Sequence, residues 1–185
     1  MSQASDDDPW LGKVAEFPAI LHARASLVYD VTNETLQKTL IHCFCRFQGS
    51  TRPIELSLSD DIGYVNGRVS FRVGVGHYDG FDILDTREED RVLRRIISKG
   101  IFQTLDLSFD LHYKVQSLDR HRVASDRYLT RLTFQSDRAE LLVHHLKGLK
   151  RVDPSEMVQL LLDVTNAELV SKGFSEISIE ESQAS

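Results

Sequence analysis

The sequence predicts a single α+β domain over residues 10–179, in which three helices cover one face of a mostly antiparallel sheet of about five or six strands. Two observations lead to this prediction. Apolar residues recur at helical spacing near residues 32–47, 86–99 and 154–172, and they alternate with polar residues in several shorter segments. In addition, a chain of 185 residues can bury a core without disulfides. We expect a ferredoxin-like sheet or a duplicated strand–helix–strand–strand unit.

The first two helices have recognisable ends. Thr32 precedes a helix whose apolar positions face one side, and Gly49 follows it. Thr86 and Glu89 match a capping box for the second helix, in which each side chain would bond the other residue's amide. Gly100 then supplies the stop.

The third helix has the clearest start. Asp153, Pro154 and Glu156 supply an N-cap, a proline at the first helical position and a carboxylate three residues after the cap. Gly173 marks its end. Its apolar residues cover more than half of its circumference, so this helix is expected to pack across the sheet.

Strands are predicted where polar and apolar residues alternate. The alternating segments are residues 23–30, 54–58, 68–75, 105–114 and 127–134, with a turn at 119–126. Residues 137–147 fit two structures. We predict a short helix there, and the alternative is the second arm of a hairpin turning at Ser136 and Asp137.

Charge is distributed unevenly along the chain, whose net charge is -6. Residues 1–85 and residues 154–185 each carry a net charge of -5, and residues 86–153 carry +4. The polar, acidic ends, residues 1–9 and 180–185, are predicted to be disordered tails. The basic middle block predicts self-association or contact with an acidic partner.

The candidate binding residues come from this basic block. They are Arg127, Arg131, Lys147, Lys150 and Arg151, because arginine and lysine bind carboxylates and phosphates. The last three flank Gly148, in a loop suited to an anion or an acidic segment. Nucleic acid is not expected as a partner, because it would require more positive charge and exposed aromatic residues.

Candidate catalytic and metal residues are few. Asp110 and His112 share one face of a predicted strand, and they are the only neighbouring pair there with acid–base chemistry. His144 and His145 are metal candidates, but adjacent histidines point in different directions. No cofactor is predicted.

The sequence therefore favours a non-enzymatic binding or assembly protein that acts through self-association or a protein partner. One alternative is a sensor that holds a small anionic ligand against Arg127 and Arg131. Another is a hydrolase or metal-assisted enzyme that uses Asp110 and His112, with help from His144 or His145. A cytoplasmic location without membrane contact is expected, since the sequence contains no long apolar run and its N-terminal residues are acidic.

Overall fold

The computed structural model describes residues 8–59, 63–116 and 121–184. Within these residues the chain forms three helices, α1 (Asn33–Phe47), α2 (Thr86–Lys99) and α3 (Pro154–Ser171). All three lie where the helical periodicity predicts them. The nine strands are β1 (Lys13–Val14), β2 (Ala23–Val28), β3 (Thr51–Ser59), β4 (Gly63–Tyr78), β5 (Gly80–Ile83), β6 (Thr104–Gln116), β7 (His121–Phe134), β8 (Arg138–Lys147) and β9 (Ser178–Ala184).

The strands form one mixed sheet, which is larger than the five or six strands predicted. Its order is β1-β4-β6-β7-β8-β2-β9, and β3 and β5 also pair with β4. The pair β1–β4 is parallel, and the other strand pairs within the described residues are antiparallel. The α+β class is confirmed. Neither the ferredoxin-like arrangement nor the duplicated unit is confirmed.

Residues 138–147 form strand β8, so the predicted helix at 137–147 is wrong and the hairpin alternative is correct. Ala139, Leu141 and Val143 are buried in alternation, and β8 pairs with β7 on one side and β2 on the other. The apolar residues Leu142 and Leu146 lie out of phase with this alternation. Because of these two leucines, the apolar residues of this segment also fit the spacing of a helix.

Two smaller predictions also need correction. The N-cap of α2 is Asp85, whose carboxylate accepts from the amide of Glu88, and not Thr86. Strand β7 begins at His121, so residues 121–126 of the turn predicted at 119–126 belong to a long hairpin with β6, and residues 119 and 120 lie outside the described residues. In contrast, the capping box of α3 is present as predicted, with Asp153 and Glu156 in the two roles.

The acidic ends of the chain contact other elements where the structure describes them. Strand β9 pairs with β2 as far as Ala184, in the segment where a tail was predicted. At the other end, Asp8 contacts His77 and Arg91. Residues 1–7 and residue 185 lie outside the described residues.

The hydrophobic core lies between one face of the sheet and the helices. Phe109 of β6 meets Phe44 of α1 edge to face, with ring centroids 5.5 Å apart. The opposite face is crossed by residues 8–22, here called the N-terminal strap. Gly76 permits this crossing, because a Cβ there would lie 3.0 Å from the Cβ of Asp106 and 3.1 Å from the backbone of Lys13.

A buried hydroxyl in this core provides a test of the packing. Thr130 is fully buried, and its Oγ1 has no hydrogen-bond partner among the described residues. It lines a small, largely apolar cavity of about 20 Å³ between the sheet and helices α1 and α3. Thr130→Val keeps the shape and removes the unpaired hydroxyl. We expect the free energy of unfolding in urea to rise by about 1 kcal/mol.

Thr165 is the matched control, because it lines the same cavity but donates to the carbonyl of Leu161 at 2.7 Å. Thr165→Val should therefore produce no such gain. A Thr130→Val variant that unfolds more easily than the wild type would contradict this description of the core.

Candidate functional site

A buried carboxylate organises the end of β8. The side chain of Asp126, on β7, is inaccessible to solvent and accepts four hydrogen bonds. Tyr113 Oη and His145 Nε2 each lie 2.9 Å from one of its oxygens. The backbone amides of Lys150 and Arg151 donate to it at 2.6 and 2.9 Å. The carboxylate thus fastens the loop that follows β8 to the neighbouring strands.

The loop after β8 packs so closely against Asp126 that position 148 requires glycine. Gly148 has a φ of 110°, and a Cβ there would lie 2.3 Å from both Asp126 Oδ1 and the carbonyl oxygen of Ser125. Lys150 also has a left-handed backbone, with a φ of 54°. The backbone amides of this loop bind the chain's own carboxylate, Asp126.

Asp126 remains ionised in this environment. Burial alone would raise the pKa of Asp126, but hydrogen bonds from His145, from the amides of Arg151 and Lys150, and from Tyr113 outweigh burial and lower it. Burial and the neighbouring charge of Asp126 raise the pKa of Tyr113, which therefore stays a hydrogen-bond donor.

The anchored loop presents an apolar and basic surface to solvent. We call it the β8-end surface and define it as Ile20, Leu146, Lys147, Leu149 and Lys150. Ile20 and Leu149 are each 70% exposed and Leu146 is 47% exposed, and both lysines are exposed. Ile20 belongs to this surface because its carbonyl accepts from His144 Nδ1 on β8 at 2.6 Å.

Two of the five predicted binding residues are already paired with carboxylates. Arg131 makes a two-point contact with buried Asp106, at 2.7 and 2.8 Å, and its guanidinium lies 4.6 Å from the ring centre of Phe17. Arg127 Nε lies 2.7 Å from Asp110 Oδ1. These pairs are direct cross-strand neighbours on β6 and β7. An anion would have to compete with Asp106 and Asp110 for both arginines.

The other three predicted residues lie around the end of β8. Lys147 is opposite Arg127 in the strand register, and the backbones of Lys150 and Arg151 bind Asp126. The structure therefore groups Lys147 and Lys150 on the β8-end surface, while Arg131 lies four residues further along β7.

The candidate catalytic residues do not converge with the histidines of β8. Asp110 is paired with Arg127, and His112 lies opposite Ser125 in the strand register. His145 binds Asp126 on the helix-covered face, which is the face opposite to Asp110 and His112. His144 is separated from β6 by β7 and from the level of His112 by about four residues, roughly 13 Å along the strand.

A second exposed surface, which the sequence did not reveal, lies at the other end of β2. We call it the C-terminal surface and define it as Asp30, Val170, Phe174, Glu176 and Ile179. Val170 is 53% exposed, Phe174 is 40% exposed and Ile179 is 37% exposed. The carboxylates of Asp30 and Glu176 are also exposed. Ser175 Oγ binds Asp30 at 3.0 Å and so ties the segment after α3 to the end of β2.

In the described part of the chain, no group of three or more His, Cys, Asp or Glu side chains is arranged to hold a metal ion. No helix there has both the length and the apolar character to span a membrane. No family model, curated protein or solved structure matches this chain.

Removing the charge of Asp126 should destabilise the protein. In Asp126→Asn, an NH₂ group replaces one of the two carboxylate oxygens. Because an NH₂ group cannot accept from the donors around it, at least one buried hydrogen bond is lost. We expect the free energy of unfolding in urea to fall by about 2–4 kcal/mol.

The matched control is Asp110→Asn, which removes a carboxylate from the same hairpin. The side chain of Asp110 is 20% exposed and that of its partner Arg127 is 38% exposed, so we expect a loss below about 1 kcal/mol. Equal losses for the two variants would show that Asp126 has no special structural role.

A histidine beside this site makes stability depend on pH. His22 Nδ1 accepts from the amide of His145 at 3.0 Å, and the ring centres of His22 and His144 are 5.0 Å apart. Burial, and then the positive charges of His144, Lys150 and His145, lower the pKa of His22 from 6.5. The folded protein thus binds the proton less well than the unfolded chain does.

The contribution of His22 to stability is therefore complete above pH 6.5 and is lost as the pH falls through its folded-state pKa. We expect the free energy of unfolding to fall from pH 7 to 5. His22→Asn keeps an acceptor but does not titrate, so it should reduce this dependence. His112→Asn, on β6, which β7 and β8 separate from β2, should leave it unchanged. A wild-type slope retained in His22→Asn would contradict the assignment.

Proposed function

We propose that this protein assembles by head-to-tail self-association, in which the β8-end surface of one copy binds the C-terminal surface of the next. The observation that carries the proposal is the complementarity of the two surfaces. Each has three exposed apolar side chains. The β8-end surface also has two lysines, and the C-terminal surface also has two carboxylates. Exposed apolar groups with a charged rim are typical of protein interaction sites.

The positions of the two surfaces favour contact between copies over contact within one chain. Ile20 precedes β2, and Asp30 follows it. The six residues of β2 therefore separate the surfaces by roughly 20 Å. One copy cannot bring them together without breaking its sheet. Because two different surfaces meet, the contact is heterologous, and it generates a ring or an open filament.

The charge distribution supports the same arrangement. The net charge of +4 in residues 86–153 includes Lys147 and Lys150, and the net charge of -5 in residues 154–185 includes Glu176. Opposite charges on the two surfaces would speed encounter and orient the copies, while the apolar side chains would supply most of the binding free energy. Binding should therefore weaken as salt screens the charges.

The test uses two variants that each disable one surface. The first combines Leu149→Ser with Lys150→Glu, and the second combines Phe174→Ser with Glu176→Lys. Sedimentation velocity should show wild-type oligomers that grow with protein concentration and dissociate as salt is raised. Each variant alone should be monomeric, because one half of every contact is missing.

An equimolar mixture of the two variants should form a dimer and nothing larger. Each variant retains one intact surface, so only one contact can form. Ile97→Ser is the control, because Ile97 is 69% exposed on α2, away from both surfaces. It should assemble as the wild type does. A wild-type protein that stays monomeric at low salt, or a mixture that stays monomeric, would refute the proposal.

A further inference from the structure

A cleft on the strap-covered face of the sheet borders the β8-end surface and shares Leu146 with it. It lies between residues 14–18 of the N-terminal strap, the turn at residues 78–81 that joins β4 to β5, and side chains of β7 and β8. Its volume is about 610 Å³. Small-molecule sites are usually clefts of about 300–1,000 Å³. The cleft is therefore large enough for a small organic ligand.

The cleft walls are largely apolar, and they include Tyr78, whose ring contacts a neighbouring aromatic residue. Phe81, Leu129 and Leu146 supply apolar surface. The ring of Tyr78 is 50% exposed and packs edge-on against Trp10, with centroids 4.9 Å apart. The backbone of Tyr78 is left-handed, with a φ of 49°, which is uncommon for an aromatic residue and is typical of turns and functional sites.

The charges in the cleft favour a cation. Arg127 lines it, but its charge is balanced by Asp110 at 2.7 Å. Glu16 and Asp79 also line it, are exposed, and form no ion pair with another described residue. Among the residues that line the cleft, the carboxylates are therefore in excess over unpaired cations. The sequence had instead suggested an anion held by Arg127 and Arg131.

We propose that this cleft binds a small organic cation, a protonated amine or quaternary ammonium that carries an aromatic or apolar body. Glu16 and Asp79 attract the positive charge, and the face of Tyr78 offers a cation–π contact. Phe81 and Leu129 receive the apolar body. The charged residues of this site lie on neither assembly surface, and the site shares Leu146 with the β8-end surface, so binding is tested in a protein that does not self-associate.

The test is an NMR titration with three probes of similar size: benzyltrimethylammonium, benzyl alcohol and phenylacetate. It uses the Phe174→Ser and Glu176→Lys variant, whose changes lie outside the cleft, so that the outcome of the self-association test does not affect the result. Benzyltrimethylammonium should give saturable shifts at the amides of residues 78–81 and 127–129. Its Kd should be at least about tenfold lower than that of either other probe.

Adding Glu16→Gln and Asp79→Asn should raise the Kd for benzyltrimethylammonium by about tenfold, roughly threefold for each exposed carboxylate. Glu180→Gln removes an exposed carboxylate from β9 and is the control, with no expected change in Kd. Saturable binding of phenylacetate at equal or lower Kd would overturn the proposal. An unchanged Kd in the double carboxylate variant, or no saturable shift with the cation, would also overturn it.

Discussion

The ionised carboxylate of Asp126 is the constraint on which the β8-end surface depends. It is buried with four donors, and two of these are amides of the loop after β8. An unsatisfied buried charge is very costly, so the loop, His145 and Tyr113 must stay together. The next residues are held as well, because Tyr128 Oη donates to the carbonyl of Val152, just before the capped start of α3. The exposed Leu149 and Lys150 thus project from a fixed backbone.

A second buried carboxylate plays the corresponding role on the opposite face of the same hairpin. Asp106 holds Arg131 and also accepts from the amide of Val14 at 2.9 Å, which fastens the N-terminal strap across the sheet. The strap forms one wall of the cleft and brings Glu16 to its rim. The long β6–β7 hairpin therefore positions the β8-end surface through Asp126 on one face and the cleft through Asp106 on the other.

The elements that depend on local pattern could be predicted from the sequence, and those that depend on long-range contacts could not. The three helices follow from periodicity and capping residues, and the α+β class follows from them. Strand β8 was missed because Leu142 and Leu146 also fit a helix, and only pairing with β2 and β7 decides between the two. Asp126 was assigned to a turn. Its role could not be predicted because its hydrogen-bond partners lie on β6, on β8 and in the loop after β8, which are distant in sequence. The basic block was visible in the sequence, but the pairing of Arg127 and Arg131 with Asp110 and Asp106 required the strand register.

Head-to-tail assembly through these two surfaces is tested most directly by zero-length carbodiimide cross-linking of a mixture of ¹⁵N-labelled and unlabelled protein, read by mass spectrometry. We expect Lys147 or Lys150 of one copy to be joined to Glu176 or Asp30 of another, in peptides of mixed isotope composition. About 20 Å of sheet separates these groups within one chain, so the same link cannot form there. Links between copies that join other surfaces, or the absence of any link between copies, would contradict the account.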